Sequence, residues 1–153
     1  MRFLWFGKKK ATPVSQSELP NVESFSVNNF VIVQSPLGPQ TKTDLERAQI
    51  ASYLLSLSKM ATTPADRALQ EYLQEFGANT VELSHYSYNE AQGHSAKVVT
   101  TNQTLLLGTP AVIARVTTPF HSTINEAIAA GAQKVLAIDG IAYAAFSING
   151  QVN

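Results

Sequence analysis

Reactive side chains are few in this 153-residue chain, and their spacing excludes more chemistry than it offers. The histidines are His85, His94 and His121, and no two stand three or four residues apart, the step at which one helix face presents two metal ligands. There is no cysteine, which removes disulfides, thiol nucleophiles, iron–sulfur clusters and cysteine-based zinc sites together. The sequence therefore predicts no metal bound by this chain alone. Neither a GxGxxG nor a GxxxxGKS/T phosphate loop is present. Ser122 and Thr123 read as helix caps, not nucleophiles, and Glu71 with Glu75 reads as a solvated helix face. His85 reads as a structural strand residue. His94, beside Gly93, reads as a solvent-facing loop histidine, with contact to a phosphate as the alternative.

Composition narrows the classes further. Hydrophobic residues make up 44% and charged residues 14%, against about 25% charged in an average globular domain, which argues for a packed core and against disorder. Eleven basic residues balance 11 acidic ones, so binding to nucleic acid by phosphate neutralisation is not expected. Four of the 11 basic residues, Arg2 and Lys8 to Lys10, fall in the first ten positions, leaving a net charge of −4 on the rest. That opening joins Phe3, Leu4, Trp5 and Phe6 to the lysine run, the pattern of a peripheral foot on an anionic membrane surface. A loosely docked terminus is the alternative. Residues 1–20, with Pro13 and Pro20, read as this segment and a linker, and residues 21–153 as one α+β domain.

The elements that must position any site follow from periodicity. Phe25 to Val33 reads as a strand, ended by Pro36-Leu37-Gly38-Pro39. Thr43-Asp44 opens a helix whose apolar face is Leu45, Ala48, Tyr53, Leu54 and Leu57. Thr63-Pro64 opens a second, with Ala68, Leu69, Tyr72, Leu73 and Phe76 inward and Gly77 at its end. Strands are then expected at Val81–Tyr86, Ala96–Val99 and Thr104–Leu107, the last two joined through Thr100-Thr101-Asn102-Gln103. Pro110 starts a short helix over Ala111–Val116, and Thr123-Ile124-Asn125-Glu126 matches a capping box for a helix ending at Gly131. Lys134–Ile138 and Ile141–Ile148 form a hairpin about the two-residue turn Asp139-Gly140. The whole is α+β: an antiparallel sheet flanked by helices.

Four short motifs in this order resemble the nucleotide-binding (N) domain of P-type cation-transporting ATPases, over roughly Lys42 to Ile148. Thr63-Pro64-Ala65-Asp66-Arg67-Ala68-Leu69 is similar to that family's D-P-T-E-x-A-L, and Leu107-Gly108-Thr109-Pro110-Ala111-Val112-Ile113 to K-G-A-P-E-x-I. Tyr88 to Ser95 stands where the family has an aromatic residue, a basic residue and a Met-Ser strand. Gly131-Ala132-Gln133-Lys134-Val135-Leu136-Ala137 is similar to G-x-R-V-L-A. The resemblance implies a cytoplasmic adenine-nucleotide-binding domain that presents ATP to a phosphorylation domain not in this chain. It makes Tyr86 or Tyr88 the ring that stacks on adenine and Asp66 the acceptor for its exocyclic amine. Gly108 becomes the point of close backbone approach.

The sequence departs from the family at the phosphate end. Leu107 replaces the lysine, and Gln92 or Gly93 stands for the basic residue, unless Lys97 or His94 substitutes. The phosphorylated D-K-T-G-T motif is absent, so no catalysis is expected from this chain alone, and ATP binding is expected to be weak. Met1 argues against a piece cut from inside a pump. Two other readings stay open: a degenerate interaction or regulatory module without nucleotide binding, and an unrelated α+β binding domain. Tyr86 and Tyr88 fit sheet packing as well as stacking, and Asp66 fits a first-turn acid favoured by the helix dipole.

Overall fold

The computed structural model describes residues 22–38, 45–61 and 63–152, with the backbone alone at 22–23 and 151–152. The N-terminal foot and Thr43-Asp44 lie outside the described residues, but the helix expected to open there begins later, at Arg47, with Glu46 extended at its N-cap. Six strands form one antiparallel sheet: β1 (Val22–Ile32), β2 (Leu83–Asn89), β3 (Gly93–Val98), β4 (Thr104–Gly108), β5 (Lys134–Ile138) and β6 (Ile141–Val152). Their order is β1-β6-β5-β4-β3-β2, so only the β1–β6 neighbours are distant in sequence. Helices α1 (Arg47–Ser58) and α2 (Pro64–Gln74) cover one face; α3 (Pro110–Ala114) and α4 (Ser122–Ala130) cover the other.

Strand alternation sorts the core into two halves. Leu105, Leu107, Leu136, Ile138 and Phe146 point to α1 and α2, whereas Val135, Ala137 and Ala145 point to Ile113 of α3 and Ile124 of α4. The Asp139-Gly140 turn has φ of 52° and 80°, the left-handed pair that a tight two-residue hairpin requires. Asp139 also accepts a hydrogen bond at Oδ1 from the Thr104 N–H, at 2.9 Å, tying that turn to β4.

α2 is held by Leu69 and Leu73, both buried, and by a cluster in which Phe30 of β1 lies 5.0 Å from Tyr72 and 5.4 Å from Phe76 between ring centres. Fully burying each leucine contributes about 1.5–3 kcal/mol. The expected cap is present: Thr63 Oγ1 accepts from the Asp66 N–H, and Asp66 Oδ2 accepts from the Thr63 N–H. This capping box fixes Asp66 over the sheet.

Two further expectations are corrected. α1 does not bury one face; every residue from Ile50 to Ser58 is buried, because the connection from α2 to β2 crosses its outer side. The Asn79 and Val81 N–H groups donate to Ser52 Oγ and Ser56 Oγ, at 2.9 and 2.8 Å, so serines rather than water satisfy that loop. α4 is capped not by Thr123 but by His121, whose Nδ1 accepts from the Thr123 N–H at 3.1 Å. The imidazole supplies the acceptor that the hydroxyl would have given, and Ser122 and Thr123 become ordinary first-turn residues.

Candidate functional site

The side chains gather where the C-terminal ends of β2 and β4 meet the N-terminal ends of β3 and β5, on the α1/α2 face. The sequence predicts a loop at His94; the structure places it in β3, half-buried, paired across the sheet with Tyr88 on one side and Leu107 on the other. The turn between β2 and β3 explains why. Asn89 Oδ1 accepts from the Gln92 N–H at 2.8 Å, and Gly93 adopts φ +79°, closing a three-residue loop directly into the strand. A Cβ at Gly93 would stand 2.3 Å from the Leu107 carbonyl oxygen, so glycine alone fits there. A bulge does the rest. His85 takes φ +57° as an extra residue opposite β3, which leaves Leu83, Tyr86 and Tyr88 on one face although two residues stand between the first two. His85 itself is exposed.

The cavity on this face measures about 60 Å³, room for roughly four water molecules. Leu57 and Ser58 at the end of α1 and Asp66 and Leu69 of α2 form one wall. His94, Leu107, Lys134, Phe146 and Ile148 form the floor and the opposite rim. The two tyrosines stand behind His94 instead of lining the cavity. Tyr86 Oη lies 2.7 Å from His94 Nδ1, and the Tyr88 ring, 54% exposed, lies 4.6 Å from the imidazole centre.

The charges act on one another here. Burial raises the Tyr86 pKa above its usual 10.0, and the Asp66 carboxylate and Tyr88 add to the rise. Burial lowers the His94 pKa below 6.5, Lys134 lowers it further, and Asp66 partly opposes them. A neutral imidazole, a carboxylate and an ammonium therefore face a small apolar floor. That set can accept from an amine, donate to a ring nitrogen and attract an anion.

Of the residues assigned from sequence, Asp66 lines the cavity and Tyr86 and Tyr88 reach it through His94. Gly108 ends β4 beside this rim, but its open side faces Val112 and Ile113 of α3, at 3.6 and 3.5 Å. Lys97 cannot substitute for a phosphate lysine at this cavity: its neighbours Ala96 and Val98 face α1, so it points to the other face, toward Thr104 Oγ1 at 3.4 Å. Lys134 was not singled out from sequence, although it stands in one of the four motifs. A larger cavity of about 280 Å³ lies on the α3 face, lined by Gln92, Leu106, Val112 and Arg115 among others. It offers no acid and no ring. A third cavity, of about 290 Å³, is lined by Lys59, Ala61, Arg67 and Gln70, two cations with no acid and no ring. Of these three, the smallest cavity is the one that combines an acid, an imidazole and a lysine.

The fold is that of the nucleotide-binding domains of P-type ATPases. The chain is similar to the N-domain of HMA6, a copper-transporting P-type ATPase, at 16% identity and TM-score 0.57, over 83% of this chain and all of that one. It is similar to the N-domain of HMA8, another copper-transporting P-type ATPase, at 15% identity and TM-score 0.56, over 82% of this chain and 99% of that one. The catalytic domain of the CPx-ATPase CopB-B matches over 85% of this chain, at 14% identity and TM-score 0.55. This chain spans 39% of that domain's length. No protein-family model and no curated protein sequence matches the chain.

Proposed function

We propose that this chain is an adenine-nucleotide-binding domain related to those of P-type cation-transporting ATPases, cytoplasmic, and presenting ATP to a phosphorylation domain outside this chain. The observation that supports this most is the gathering of Asp66, His94 and Lys134 around one apolar floor. Asp66 accepts the exocyclic amine with the oxygen that the helix cap does not use. Lys134 supplies a cation at the rim, where Leu107 has replaced the family's lysine. The strand ends Val22 and Val152 lie side by side, which suits two connections to one neighbouring domain.

Binding is weak on this reading. A base–aromatic contact contributes about 1–3 kcal/mol, and a missing charge-assisted phosphate contact forfeits about 1.5–3 kcal/mol. The two nearly cancel, so the expected dissociation constant is no tighter than about 1 mM, which corresponds to about −4 kcal/mol. The test is an amide titration with ATP. Shifts at Asp66, His94, Leu107 and Lys134 that saturate in the millimolar range support the reading. No shift at several millimolar refutes it and leaves the interaction module, which the replacement at Leu107 favours.

A further inference from the structure

We propose that His94 is the residue through which the cavity meets the base, with Tyr86 and Tyr88 acting through it as positioning residues. The proposal rests on the nucleotide-binding reading above and names the recognition group within it. The family resemblance pointed to the tyrosines, but the rings that line the cavity are His94 at its rim and Phe146 in its floor, and of these only His94 carries polar ring atoms. Tyr86 holds His94 Nδ1 at 2.7 Å, so Nε2 is the ring nitrogen left for a ligand. Tyr88 covers an imidazole face at a centroid distance of 4.6 Å and a tilt of 40°, which fixes the plane of the ring.

The groups facing His94 are Tyr86, Tyr88, Asp66 and Lys134. Burial and Lys134 disfavour its cation, and Asp66 only partly offsets them, so the neutral form prevails at neutral pH. The Tyr86–His94 contact allows two tautomers; in the one where the Tyr86 hydroxyl donates to Nδ1, the neutral ring carries its proton on Nε2. His94 and Asp66 line the same cavity. An acceptor and a donor side by side match an amine next to a ring nitrogen, which is the edge adenine presents.

Packing a base against this ring excludes water from it and disfavours the imidazolium still more. Base binding and protonation of His94 therefore compete. Adenosine, which has no phosphate, isolates this effect from the attraction of Lys134 for anions.

The experiment follows the His94 ring nitrogen and carbon-bound proton signals of the full chain by NMR, with and without saturating adenosine, from pH 8 to pH 5. The expected result is a shift of the Nε2 signal, a lower His94 pKa in the complex, and an adenosine affinity that falls with acid by up to about tenfold per pH unit. His94→Phe, which keeps a flat ring, is expected to lose that pH step. Tyr86→Phe is expected to weaken adenosine binding about three- to tenfold while His94 still titrates. Amide shifts around Asp66 and Leu107 with His94 signals and pKa unmoved would overturn this proposal and leave the nucleotide site standing. No shift anywhere at several millimolar adenosine would overturn both.

Discussion

Replacing Gly93 by alanine is expected to destabilise the domain far more than the same change at Gly108, although both glycines stand at the same rim. At Gly93 the added Cβ would lie 2.3 Å from the Leu107 carbonyl oxygen and 3.0 Å from Gly108 Cα, both rigid backbone atoms. The φ of +79° adds about 1–2 kcal/mol of strain for any residue with a Cβ. Forcing β3 and β4 apart costs a further 1–3 kcal/mol or so, by analogy with overpacked cores. The sum, about 2–5 kcal/mol, corresponds to a melting temperature lower by roughly 10 °C for a chain of this size. At Gly108 the nearest atoms are side-chain carbons at 3.5 and 3.6 Å and the Gln92 carbonyl oxygen at 3.6 Å, ordinary contacts. Removing a strand glycine there recovers about 0.5–1 kcal/mol of backbone entropy. Thermal unfolding of the two variants by circular dichroism measures the difference. Equal melting temperatures would refute the close approach of Gly93 to β4, and with it the geometry that sets His94 beside Leu107.

Further outcomes follow from the same contacts. Ser56→Ala strands the Val81 N–H beneath its loop and is expected to cost about 1–3 kcal/mol in urea unfolding, with Ser52→Ala behaving similarly at Asn79. The lowered His94 pKa means that the unfolded chain takes up its proton first as the pH falls. Its contribution to stability is therefore complete above pH 6.5 and is lost as the pH drops through the folded value, so melting should decline across that window more steeply than in His94→Phe. Removing residues 1–10 is expected to leave cooperative unfolding intact and to weaken binding to anionic vesicles, by a margin that shrinks as salt is added.

Local chemistry was the legible part of the fold. Thr63-Pro64 and Asp139-Gly140 each encode their own geometry within four residues, and both appear where expected. The burial of α1 on all sides was not legible, because the loop that covers it supplies N–H groups to Ser52 and Ser56 from some 25 residues away. His94 was hidden by its company. Gly93, Ser95 and Lys97 leave only alternate apolar positions in β3, and the bulge at His85 breaks the two-residue period that would have set Tyr86 beside it. Asp66, which the motif singled out, lines the cavity. Lys134 went unread because β5 is otherwise apolar and a single lysine at its start looks like an ordinary solvated end.

The most direct test of the central claim is to locate the bound base. The His94 cavity and the α3 cavity lie on opposite faces of one sheet, and each carries its own methyl groups. Intermolecular nuclear Overhauser effects from the adenine H2 and H8 protons of ATP distinguish them. Contacts to Leu57, Leu107 and Ile148 are the predicted result; contacts to Val112, Ile113 and Val116 instead would contradict it.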